Sequence, residues 1–162
     1  MLTFDNQTQI YMKIKLLSVL TLFMLGTTFS QSLQSPSEFL GYEIGTRFTR
    51  HHQVVDYFKY VSNTVFNVKL EKYGETNEHR PLYVSFISSK ENIANLETIR
   101  KDNLSQSGII KGSTVNNKAI VWLSYNVHGN EASSTEAAML TLYELIMNKK
   151  KLLENTVVIM DP

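Results

Sequence analysis

There is no cysteine in these 162 residues. That excludes disulfides and thiolate metal sites together and leaves His, Asp and Glu as the strong metal-ligating side chains, although it does not fix the compartment. Charge of one sign is nowhere concentrated: 16 basic and 15 acidic residues are spread along the chain and the formal net charge is +1. The basic face that contact with a phosphate backbone requires is missing, so no nucleic acid is expected as a partner. No apolar run reaches the roughly 20 residues of a membrane helix, and there is no internal repeat or low-complexity tract. What remains, 43% hydrophobic and 19% charged residues, is an ordinary globular composition at a length that suits one domain.

The N-terminus has the layout of a secretory signal peptide. Lys13 and Lys15 precede the apolar run Leu16 to Leu25, and small residues follow at Thr28 and Ser30, either side of Phe29. Cleavage is expected near Ser30-Gln31, giving a secreted or periplasmic protein with no stable membrane anchor. Met12-Lys13 opens this layout more normally than Met1, which makes Met12 the expected initiator. The competing reading is a buried core helix over 14–25. Residues 1–30 are thus assigned to an N-terminal extension and signal, and 31–162 to the folded domain.

Beyond the linker Gln31 to Ser37, Val54, Val55, Phe58 and Val61 recur at helical spacing within Thr49 to Val61. Val65 to Tyr73 and Leu82 to Ile87 are rich in β-branched and aromatic residues and flank a polar turn, Gly74 to Pro81, so they predict an antiparallel pair. Glu91 to Leu104 predicts a short surface helix, and Gly108 to Asn117 a loop. Ala119 to Tyr125 is a nearly continuous apolar run of the kind buried on both faces, which places it in the centre of a sheet. The next helix opens with Ser133-Ser134-Thr135-Glu136, a capping-box spacing, turns Met139, Leu142, Tyr143, Leu145 and Ile146 inward, and ends on Lys149 to Lys151. Thr156 to Met160 is a second buried strand, and strand, helix, strand predicts a parallel crossover.

His128-Gly129-Asn130-Glu131 leaves the carboxyl end of the Ala119 strand, where ligands gather in open α/β sheets. An imidazole and a carboxylate three residues apart are two of the three protein ligands of a catalytic zinc, and Gly129 would let the backbone turn so that both face one point. The spacing alone does not choose between that and a loop histidine beside a helix-start carboxylate. His51 and His52 are adjacent on a helix and point about 100° apart, which suits solvated helix-start residues rather than ligands. His79 sits in a charged turn, where Glu78 and Arg80 form a pair, and Glu136 reads as a cap partner.

Ala119 to Glu131 with its small-residue helix start resembles the zinc carboxypeptidase family, the carboxypeptidase A-like metallopeptidases. Gly74-Glu75-Thr76-Asn77-Glu78-His79-Arg80-Pro81-Leu82 is similar to that family's turn between its first two strands, commonly Gly-x-Ser-x-Glu-Gly-Arg-Pro-Ile, with His79 in place of a glycine. Thr49 to Val61 resembles the first family helix, and Val157 to Pro162 the strand that runs into its Asn-Pro-Asp-Gly segment. The similarity covers roughly 36–162 and rests on the ordered set of segments, with Glu91 to Leu104 looking like an insertion.

The resemblance implies an α/β class protein, a mixed-sheet α/β/α carboxypeptidase-like fold that is incomplete at the C-terminus. It also implies Zn2+ as cofactor, a peptide as substrate, and His128 and Glu131 as metal ligands. The family's third ligand, catalytic glutamate, substrate-clamping arginine and tyrosine have no counterpart here, so no catalytic residue is assigned and this piece by itself is expected to be inactive. Two alternatives stay open: a zinc deacylase of acyl amino acids, and a non-catalytic secreted binding remnant. A sheet ending at Thr156 to Met160 would also leave that strand unpaired on one side, an apolar edge that invites self-association.

Overall fold

The computed structural model describes residues 6–24, 32–112 and 117–162. It divides into two compact units, Met1–Ser32 and Leu33–Pro162. In the first, Asn6–Met24 forms α1. Its described side chains are those of residues 8–17, and they are exposed. The expected cleavage point at Ser30-Gln31 lies outside the described residues. No described helix is long and apolar enough to cross a membrane.

The second unit opens with the short helix α2, Pro36–Leu40. Ser35 caps it: Glu38 N–H donates to Ser35 Oγ at 3.3 Å while Ser35 N–H donates to Glu38 Oε2 at 2.7 Å. The Ser35 N–H, and after it the Ser35 hydroxyl donating to Glu38 Oε2 at 2.9 Å, hold the Glu38 carboxyl below its ordinary range. Helix α3, His51–Thr64, buries Val54, Val55, Tyr57, Phe58 and Val61, the face predicted from spacing with Tyr57 added. Phe39 of α2 meets Tyr57 edge-on, ring centroids 5.1 Å apart, and the Tyr57 hydroxyl donates to Gln34 O at 3.0 Å. Burial pushes that phenol well above its usual range.

Strands β1, Val68–Glu75, and β2, Pro81–Ile87, form the expected antiparallel pair. The predicted surface helix is two, α4, Lys90–Ala94, and α5, Leu96–Gln106. Asn92 is buried and ties α4 down, its Nδ2 lying 2.9 to 3.2 Å from Ser88 Oγ and the carbonyls of Leu153 and Glu154. After β3, Ala119–Ser124, come α6, Ser133–Asn148, the single turn α7, Lys150–Leu153, and β4, Thr156–Asp161. The helix therefore breaks at Lys149, and Lys150 and Lys151 belong to α7 rather than to the last turn of α6.

The sheet order is β1-β2-β4-β3, with β4 antiparallel to β2 and parallel to β3. The parallel crossover is as predicted; the strand placement is not. Among the described residues β4 lies between β2 and β3, and Ala119–Ser124 pairs with β4 alone. Most of its side chains are exposed, Trp122 to 69%, while Leu123 packs against the core; among the described residues the unpaired apolar edge belongs to β3 instead of Thr156 to Met160.

Strand alternation sorts the two faces. Val68, Ile87, Val158 and Met160 point into one core with Val54, Phe58, Met139 and Leu142 of α3 and α6. Phe86, Val157 and Ile159 face the other way, where Leu96 and Ile99 of α5 and a cavity of about 270 Å³ adjoin them. The result is a three-layer α/β/α arrangement on a mixed sheet.

Candidate metal site

The candidate pair sits where β3 ends. Tyr125 N–H still donates to Asp161 O at 2.9 Å, extending the ladder by one bond. The chain then turns at Asn126, which has φ +56°, a left-handed conformation that asparagine tolerates better than most residues. Asn126 Oδ1 accepts from the hydroxyls of Ser134 at 2.6 Å and Thr135 at 2.9 Å, so the first turn of α6 is stapled to the end of β3. Between these anchors Glu131 N–H donates to His128 O at 3.1 Å, and Ser134 Oγ donates to Glu131 O at 2.9 Å. The loop is thus fixed at both ends by its own hydrogen bonds.

Within it, His128 Nδ1 and Glu131 Oε1 are 3.3 Å apart, with side chains 68% and 64% exposed. That is longer than the roughly 2.7–2.9 Å of a charge-assisted N–H···O bond. Two donors on a tetrahedral zinc, with bonds of about 2.0–2.1 Å to each, lie ~3.3 Å apart. The nitrogen and the oxygen therefore already stand at the edge length of a zinc tetrahedron, and an imidazole with a carboxylate is a donor set that zinc accepts. Among the described residues no group of three or more His, Cys, Asp and Glu comes together. His51 and His52 lie at the start of α3 and His79 pairs with Glu75 at 3.7 Å; none joins the pair.

Two readings of this region are corrected. The backbone does turn at Gly129-Asn130, closed by the Glu131 N–H to His128 O bond, but Gly129 is not among the positive-φ residues and a Cβ there would meet nothing within 4 Å, so that turn does not require a glycine; the left-handed position is Asn126. The capping box at 133–136 does not form either, because Ala132 is the N-cap and no side chain caps the helix. Glu136 instead is 7% exposed and reaches back in the chain, accepting from Gly45 N–H at 2.5 Å and from Thr49 Oγ1 at 2.5 Å. It clamps the segment ahead of α3 onto α6. Beside it, Ile44, Phe48, Ala132, Ser133 and Leu140 line a cavity of about 510 Å³.

Residues 54–162 match the sequence model of a family described as zinc carboxypeptidase. The fold is similar to the crystal structure of carboxypeptidase A from Helicoverpa armigera, at 16% identity and a TM-score of 0.56, covering 98% of this chain and 31% of that one. The chain therefore spans about a third of the length of that enzyme. No curated protein matches the chain.

Proposed function

The chain belongs to the zinc carboxypeptidase family, and from that premise we propose that His128 and Glu131 are two ligands of a catalytic zinc ion in a protein that removes C-terminal residues from peptides. The observation that carries this reading is the 3.3 Å separation of His128 Nδ1 and Glu131 Oε1 at the carboxyl end of β3. Zinc bound there would act as a Lewis acid on a peptide carbonyl and bring the pKa of a bound water toward neutrality. The chain's own part is to hold the two donors in place. Asn126, Ser134 and Thr135 fix the loop, and the exposure of both side chains leaves the site open to a substrate. A catalytic zinc takes three protein ligands, and this segment offers two, so by itself it should hold zinc weakly and hydrolyse nothing.

The activity is tested on the native protein with an N-blocked dipeptide. Release of the C-terminal residue should stop with a chelator, return with Zn2+, and be lost in His128→Ala. Release that survives His128→Ala would sink the assignment. For the 162-residue chain alone, stoichiometric zinc after dialysis together with dipeptide cleavage would refute the two-ligand account. The basic-then-apolar order of Lys13 to Leu25 supports a secreted or periplasmic protein; a mature N-terminus near Gln31 would support it, and one at Met1 or Met12 would contradict it.

A further inference from the structure

His52, Val55, Asp56 and Lys59 recur at three- and four-residue spacing and so share one side of α3. With Arg50, His51 and the Arg80–Pro81 end of the β1–β2 turn, that side walls a cavity of about 590 Å³. Its charge is one-sided. Two guanidinium groups, one ammonium and two imidazoles line it, against a single carboxylate, that of Asp56.

The existing pairings are weak for two of the three fixed cations and leave the third, Arg50, without one. Asp56 lies 3.8 Å from Lys59, whose ammonium also sits 5.3 Å from the centre of the Tyr83 ring. Arg80 pairs with Glu78, both side chains about two-thirds exposed, a setting in which ion pairs are weak. Arg50 has no ion-pair partner among the described residues. His51 registers the excess: its own burial first, then the positive charge of Arg80 and the neighbouring His52, hold its imidazole below the ordinary value.

We propose that this cavity binds an oxyanion, a carboxylate or phosphate group carried on a molecule that spans Arg50, Lys59 and Arg80. Guanidinium forks match both kinds of anion with paired N–H···O bonds. A water occupies about 30 Å³ in the liquid, so a lone inorganic ion would leave most of the space unfilled, and the fitting ligand is larger. An anion there would also favour protonated His51, and by reciprocity protonation of His51 tightens the anion. None of the residues is a candidate zinc ligand, so the site stands or falls independently of the metal.

The test uses the full 162-residue chain at fixed ionic strength and two probes, inorganic phosphate and an N-acetylated, C-amidated tetraglutamate. The His51 and His52 ring protons are followed by NMR at about pH 6 and about pH 8, either side of an ordinary histidine. Saturable binding is expected, tighter at the lower pH, with the His51 pKa raised. Arg50→Gln/Arg80→Gln should weaken it about tenfold or more, the loss of charged hydrogen bonds. Lys59→Gln, a change at a half-exposed side chain, should also weaken it without touching the turn. A response to tetraglutamate only identifies an acidic peptide as the source of the anion, and a response to phosphate only a phosphorylated molecule. Failure of both probes to saturate, an unmoved His51 titration, or equal binding by the variants would overturn the proposal.

Discussion

Removing the Glu136 carboxylate should release the segment ahead of α3. Glu136 is buried and accepts two hydrogen bonds, from Gly45 N–H and Thr49 Oγ1, both at 2.5 Å. A hydrogen bond to a charged group contributes about 1.5–3 kcal/mol. The Thr49 hydroxyl keeps a second partner in Tyr42, at 2.7 Å, and Gly45 can find water once the clamp opens, so the sum is discounted. Glu136→Ala should therefore cost ~2–4 kcal/mol. With a urea slope of about 2 kcal/mol per molar, mid-range for small proteins, the unfolding midpoint falls by roughly 1–2 M. Glu136→Gln keeps the volume and one acceptor oxygen and should cost about half as much. Hydrogen exchange separates this clamp from a general loosening: the Gly45 amide loses protection while the amides of β4 keep theirs. A cost below about 0.5 kcal/mol, or Gly45 exchange unchanged in Glu136→Ala, would refute the reasoning.

Three further outcomes are expected. His79 holds φ +60° in the β1–β2 turn, a conformation that costs an L-residue about 1–2 kcal/mol, so His79→Gly should raise stability by ~0.5 kcal/mol after glycine's entropy cost and the exposed Glu75 pair are deducted; a loss above 1 kcal/mol in urea melts would contradict this. Trp122, the sole tryptophan, is 69% exposed on the edge strand β3, so its emission should be that of a wetted indole, and Trp122→Lys should suppress self-association in light scattering by charging the edge; blue-shifted emission from dilute monomer would contradict it. Because the folded-state pKa of His51 is lowered, its contribution is present above the ordinary histidine value of about 6.5 and is lost as pH falls from there through the folded pKa. His51→Gln should therefore flatten the acid side of the stability profile, and an unchanged profile would show that His51 does not titrate differently on folding.

What the sequence revealed follows from the range of each signal. Helical spacing picked out the buried face of α3, and β-branched runs found the four described strands, because those patterns record which side of an element meets a core. Strand order is set by partners far along the chain. The apolar run at Ala119 to Tyr125 reads as central, yet among the described residues β4 takes the interior place beside β2 and β3 stands at the edge. Glu136 shows the same limit: three residues after Ser133 it mimics a capping box, while its partners lie 91 and 87 residues away. Where similarity to the family turn put a glycine at position 79, the backbone explains it, since His79 occupies the left-handed region that glycine fills without strain. Asn126 carried a legible signal that went unused, a residue tolerant of that region followed by two hydroxyl side chains able to bond it.

The most direct measurement of the central claim is a Zn2+ titration of the full chain, read at the ring protons of all four histidines. Binding at one site that shifts His128, leaves His51, His52 and His79 unmoved, and disappears in both His128→Ala and Glu131→Ala is the predicted result. Zinc that saturates at another histidine, or that binds the His128→Ala chain as well as the parent, would contradict the pair's assignment as ligands.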